Sequence, residues 1–166
     1  MALVTPMKSA FDDDDVLASP VSYAEALRPA PVAPPAEKKL EVFVIFTDPT
    51  GTLAALAMAE QLAQQLGARI RLLVPWEVHY ALPLTEPAVS VKFLEEQVRY
   101  LASQSHLEVE AQIYLCRDKQ QALRMLLPPH SPIVVGGRSR WWRTPAQRLA
   151  QACLKAGHQV VFADVR

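Results

Sequence analysis

A chain of 166 residues with 51% hydrophobic content can bury one proper core, roughly one domain of 100 to 150 residues, and leaves no room for a second. Its 17 basic and 17 acidic side chains cancel, which argues against the large positive field of a dedicated nucleic-acid binder, so no nucleic acid is expected as a partner. Cys116 and Cys153, far apart and outside any C-x-x-C or Cys/His cluster, argue against a zinc site or a disulfide framework and fit a reducing cytoplasm, while no run approaches the ~18 apolar residues of a membrane span.

Residues 1–39 read as an arm, distinct from the folded domain expected at 40–166. The arm holds six of the fourteen prolines, the uninterrupted acid run Asp12-Asp13-Asp14-Asp15 and the stretch Pro29-Ala30-Pro31-Val32-Ala33-Pro34-Pro35, a composition that favours extended, solvated, disordered backbone. Within it Val21 to Arg28 can form two helical turns and, with Phe11, Val16 and Leu17, offer a contact to a protein partner or to the domain itself. A helix this short is unstable alone in water.

From Leu40 onward strand and helix signals alternate. Val42 to Phe46 is a continuous apolar run, the mark of a strand covered on both faces. Ala55, Met58, Ala59, Leu62 and Leu66 then form one helical stripe, and Gly67 supplies the stop. Ile70 to Val74 reads as the second strand, followed by a long connection from Pro75 to Pro87 and a helix with Val91, Leu94, Val98 and Leu101 on one face. Val109 to Leu115 reads as the third strand, and Asp118 caps a short helix ending at Leu127. Ile133 to Val135 is the fourth strand. Thr144-Pro145 opens the last helix, because a threonine oxygen accepts an orphan amide and proline at the first helical position loses no needed donor. Gly157 ends that helix and Val160-Val161-Phe162 opens the fifth strand.

The alternation implies an α/β fold: an open five-stranded parallel sheet, Rossmann-like, with right-handed crossovers and helices on both faces. In such sheets ligands bind outside the carboxyl ends of the strands, so the turns at Asp48-Pro49-Thr50 and at Gly136-Gly137-Arg138-Ser139 are where function is expected.

These residues carry a resemblance. Asp48-Pro49-Thr50 after an apolar strand, Leu66-Gly67-Ala68, the strand Ile70-Arg71-Leu72-Leu73-Val74 and Val134-Val135-Gly136 together resemble the universal stress protein family, over the span from about Leu40 to Arg166. The resemblance implies strand order 3-2-1-4-5, a cleft between the first and fourth strands, an adenine nucleotide such as ATP or AMP as the possible ligand, and dimerisation along the last strand. It places Asp48, Thr50, Val74, Gly136, Gly137, Arg138, Ser139, Arg143 and Thr144 in the cleft, and Val160, Phe162 and Val165 at the dimer interface.

The chain departs from the family where phosphates are held. Nucleotide-binding members carry Gly-x2-Gly-x9-Gly-Ser/Thr; here Ser139 stands at the second glycine, the loop to Thr144 is about six residues short, Arg143 takes the place of the third glycine, and Pro145 removes an amide. Tight ATP cradling is therefore not expected. Arg138, Arg140, Arg143 and Arg148 surround Trp141 and Trp142 instead, so the loop is either an anion or protein-partner site beside a helix N-terminus, or a packed edge with solvated arginines.

Two readings stay open for Asp48, which can contact a base or ribose or cap its own helix, and for Gly136 and Gly137, which can form a turn or admit a ligand. His79, His106, His130 and His158 are scattered, and neither cysteine has a base partner, so no catalytic constellation is seen. The expected function is a non-enzymatic, dimeric regulatory or binding module with weak or no ATP binding; the alternative is an adenine-nucleotide binder with slow ATP hydrolysis.

Overall fold

The computed structural model describes residues 3–5, 39–141 and 143–165. The acid run Asp12 to Asp15, the helix expected at Val21 to Arg28, and Trp142 lie outside the described residues. Along the chain the elements are β1 (Leu3–Thr5), β2 (Glu41–Ile45), α1 (Pro49–Leu66), β3 (Arg69–Glu77), α2 (Val91–Ser103), β4 (Val109–Cys116), α3 (Lys119–Leu126), β5 (Pro132–Gly137), α4 (Pro145–Lys155) and β6 (Gln159–Asp164). The strands form one parallel sheet in the order β1-β4-β3-β2-β5-β6. The five strands read from Leu40 onward are β2 to β6, and their order is the expected 3-2-1-4-5.

Strand β1 differs from the expectation of a structureless arm. Leu3-Val4-Thr5 pairs in parallel with Glu110-Ala111-Gln112 of β4 and adds a sixth strand. The triplet is β-favouring, and β4 would otherwise present an unpaired edge there.

Alternation along each strand divides the core in two. Val42, Val44, Leu72, Val74 and Ile113 belong to the cluster shared with α1 and α2, whereas Phe43, Ile45, Leu73, Ile133 and Val135 belong to the one shared with α3 and α4. Each such aliphatic side chain contributes ~1.5–3 kcal/mol on full burial, so the inner strands are fixed in register by both layers.

Strand β3 also runs beyond its expected end, through Pro75 and Trp76, which pair with Tyr114 and Leu115. Proline is tolerated there because β2 pairs no further than Ile45 with Leu73, which leaves that flank of β3 open and makes the missing donor harmless. Helix α1 begins at Asp48, whose side chain accepts from the Gly51 amide, and closes at Gly67, whose φ of 61° is the left-handed cap geometry glycine favours. Among the described residues no helix is long and apolar enough to cross a membrane.

Candidate functional site

Between β2 and β5 the chain's path across the sheet reverses, and an open α/β sheet splits into a crevice at such a point. Here the crevice holds about 870 Å³. Thr47, Asp48 and Thr50 line it from the turn after β2, Glu77 from the end of β3, Asp118 and Lys119 from the start of α3, Gly137 from the end of β5, Arg138, Arg140 and Thr144 from the loop that follows, and Arg148 from α4.

The first turn is closed by short side chains bonded to nearby backbone groups. Asp48 Oδ1 accepts from the Gly51 amide at 2.9 Å, Thr47 Oγ1 donates to the Gly136 carbonyl at 2.7 Å, and the Thr47 amide donates to Oγ1 of the fully buried Thr52 at 3.3 Å. Helix α1 consequently enters the sheet so closely that a Cβ on Gly51 would lie 2.6 Å from the Gly136 oxygen, and one on Gly136 would fall onto the Gly51 carbonyl. The turn reading of the glycine pair is thus corrected. Gly136 and Gly137 belong to β5, are buried, and have no positive φ; Gly136 is bare so that α1 can touch it, and Gly137 because Ala146 of α4 would stand 2.5 Å from its Cβ.

The second turn is built from side chains. The Ser139 amide donates to Asp164 Oδ1 at 2.8 Å, and the Thr144 hydroxyl reaches back to the Arg138 carbonyl at 3.2 Å. Thr144 and Gln147 form a reciprocal capping box: the Thr144 amide donates to Gln147 Oε1 at 2.8 Å and the Gln147 amide to Thr144 Oγ1 at 3.3 Å. With Pro145 lacking an N–H, the amides of Ser139, Thr144 and Gln147 are satisfied within the protein, not pointed at the crevice. Positive charge comes instead from the exposed Arg138, Arg140 and Arg148 and from Lys119, and none of them makes an ion pair among the described residues. The same lining carries the carboxylates of Asp48, Glu77 and Asp118. Such a cavity suits a ligand that carries both an anionic group and hydroxyl or amine donors.

Of the residues expected in the cleft, Asp48, Thr50, Gly137, Arg138 and Thr144 line it together. Val74 does not, because it is wholly inside the core between strands. Gly136 lies beneath Gly51, Ser139 directs its amide to Asp164, and Arg143 faces a second depression between α3 and α4. Val160 and Phe162 pack inward against the α3/α4 core, and Val165 joins the crevice lining with its amide on the Gly137 carbonyl at 3.0 Å; on β6 it is Val161 that is exposed. Trp141 is 95% exposed and so covers no sheet edge.

Sequence reading missed Gly51, Lys119, Glu77 and Arg117. Gly51 carried a signal, since glycine inside a helix costs ~1 kcal/mol relative to alanine and calls for a packing reason. Arg117 carried none. Its guanidinium donates to the carbonyls of Val78 at 3.0 Å, His79 at 2.8 Å and Leu82 at 3.0 Å and lies over the Tyr80 ring, pinning the connection between β3 and α2 beside the crevice.

The histidines serve local structure. His79 Nδ1 accepts from the Ala81 amide, His106 pairs with Glu60, His130 bonds the Gly157 carbonyl, and buried His158 accepts from the Ser131 amide at 3.2 Å. Burial pushes the Cys116 thiol up to about 12 and the Cys153 thiol up to about 11, so both stay protonated at neutral pH and neither is a ready nucleophile.

No protein-family model matches the sequence, and no curated protein matches it. Solved structures do resemble it in fold. A universal stress protein from Archaeoglobus fulgidus is 17% identical with a TM-score of 0.52, over 74% of this chain and 92% of its own. The universal stress protein from the same organism in complex with dAMP is 14% identical with a TM-score of 0.51, over 74% and 96%. A protein of the universal stress protein family from Burkholderia pseudomallei is 16% identical with a TM-score of 0.53, over 79% and 100%. The chain therefore has a universal-stress-protein-like, Rossmann-like α/β fold.

Proposed function

We propose that this protein is a non-enzymatic binding or regulatory module, working as a homodimer in the cytoplasm, whose crevice takes a small anionic ligand through side chains and holds ATP weakly or not at all. The supporting observation is the state of the loop after β5: the amides of Ser139, Thr144 and Gln147 already have internal partners and Pro145 carries no N–H, so a triphosphate arriving there would find those donors taken and meet chiefly guanidinium groups. Edge strand β6, paired on one side with β5 and exposing Val161, is the element through which a second copy would add. Protein contact through the exposed Trp141 loop, or through the arm, belongs to the same reading.

Titration calorimetry of the full chain with ATP and AMP tests the crevice. ATP is expected to bind no tighter than about millimolar, roughly 4 kcal/mol. Micromolar ATP binding, lost in Arg138→Glu, would reverse the ranking in favour of an adenine-nucleotide binder with slow hydrolysis. One observation favours that second reading: an archaeal protein of the same fold holds dAMP, and Asp48, Thr50, Arg138 and Thr144 line one cavity here.

A further inference from the structure

A second depression, of about 760 Å³, separates α3 from α4 on the face of the sheet away from α1 and α2. Four exposed cations line it, Arg124 from α3, Arg143 from the loop before α4, and Arg148 and Lys155 from α4, together with His158 and, among the described residues, no carboxylate. None of the four makes an ion pair among the described residues. Neither α3 nor α4 carries an acidic residue, whereas α2 balances Lys92 and Arg99 against Glu95 and Glu96. Arg124 and Lys155 sit in the last turns of their helices, where the dipole favours a cation; Arg143 and Arg148 sit at the opposite end, where it disfavours one, so capping does not account for the cluster.

The groove has an apolar floor, with Leu127 and Ala152 between the cationic rims. Arg148 and Lys155, seven residues apart, lie on one helical stripe about 10 Å long. From these features we infer that the α3/α4 groove docks an acidic amphipathic helix of a partner protein. Carboxylates seven residues apart on the incoming helix match the cationic stripe, and apolar residues between them meet the floor. A nucleic acid fits less well, because the chain's net charge is zero and no Phe, Tyr or Trp among the described residues lines the groove to stack a base. Only Gln120 and Arg148 are shared with the crevice, so docking here stands or falls apart from what the crevice binds.

The probe is a synthetic helical peptide with glutamates seven residues apart around a leucine stripe, compared with its lysine counterpart and with a short DNA duplex by fluorescence anisotropy against the full-length protein. The acidic peptide is expected to bind and the lysine peptide not to. Arg124→Glu combined with Lys155→Glu, neither of which lines the crevice, should weaken binding by at least about tenfold, whereas Arg124→Asp combined with Lys155→Asn on the same helix ends, and the melting temperature of each variant, gauge the modest loss of stability expected from removing cations at two helix C-termini. Four results overturn the inference: no binding of the acidic peptide, equal binding by the Arg124→Glu, Lys155→Glu variant, tighter binding of the duplex, or a carbodiimide cross-link joining Lys155 to Asp12–Asp15 of the same chain, which would mean that the groove is filled in cis. Loss of a dimer in that variant, seen by sedimentation, would likewise reassign the groove to self-association.

Discussion

The turn after β2 and the loop after β5 flank the same crevice and are built in opposite ways. The first is closed on itself: Asp48 caps its own helix, the Thr47 and Thr52 hydroxyls tie the strand ends to the helix start, and Gly51 rests against Gly136. The second presents guanidinium groups and the exposed Trp141 indole on a short loop in which the Ser139 and Thr144 amides turn inward to Asp164 and Gln147. The fold decides that a cavity exists between them; the chemistry on offer is decided almost entirely by the second.

The harshest way to break this comparison is to put a methyl group where the two turns touch. Gly136→Ala is expected to destabilise the protein by about 3 kcal/mol or more, since the obstructing atom is a backbone carbonyl that no rotamer change can move. Gly137→Ala should cost less, because its neighbour is the Ala146 side chain on a helix that can shift slightly. Urea unfolding measures both. A normal midpoint for Gly136→Ala would mean that the glycine is kept for a ligand and that the turn is not closed by packing.

Asp48 comes next in size. Asp48→Ala removes the acceptor for the Gly51 amide and should cost about 1 kcal/mol, whereas Asp48→Asn, an equally good cap, should stay within a few tenths of the parent. A ligand that depends on the carboxylate charge would instead be lost in both variants. Thermal melting with and without AMP distinguishes the two roles.

How far these roles were legible follows from their physical range. Periodicity is local, so the strands β2 to β6 and helices α1 to α4 were readable from apolar spacing and caps, including Asp118 and Thr144, whose side chains accept the amides anticipated for them. The strand order came through resemblance and parallel-crossover rules. Contacts distant in sequence were not readable: Thr47 to the Gly136 carbonyl spans 89 residues, and nothing near Arg117 announces that it will clamp three carbonyls of another connection. Val74 was misplaced because its strand continues past it, which keeps it inside the sheet and away from the rim. β1 was missed since three residues are too few for any period to show.

A gentler test lies at the opposite end of β5 and β6, where His158 accepts the Ser131 amide and must be neutral to do so. Burial, aided by the neighbouring His130, holds its pKa below the ordinary 6.5. The folded state therefore binds fewer protons than the unfolded state in this range, and stability is complete above pH 6.5 and declines as pH falls through the depressed folded value. Melting temperatures measured between pH 7 and pH 5 should fall in the parent and fall less in His158→Gln. Equal slopes in the two proteins would remove His158 from the account.

The smallest stability effect is expected where the functional effect is largest. Arg138 and Arg140 are exposed and make no ion pair among the described residues, so Arg138→Glu with Arg140→Glu should change unfolding free energy by no more than about 0.5 kcal/mol. Inorganic tripolyphosphate serves as the anion probe. At a concentration equal to its dissociation constant, a ligand bound only by the folded state stabilises it by about 0.4 kcal/mol, which raises the melting temperature of a domain this size by on the order of 1–2 °C. That increment should appear in the parent, shrink with added salt as exposed charge contacts do, and vanish in the double variant while the melting temperature without anion stays put. A protein whose loop arginines were merely solvated would respond to tripolyphosphate identically in both forms, and the contrast between a turn closed on itself and a ligand-facing loop would then describe shape without chemistry.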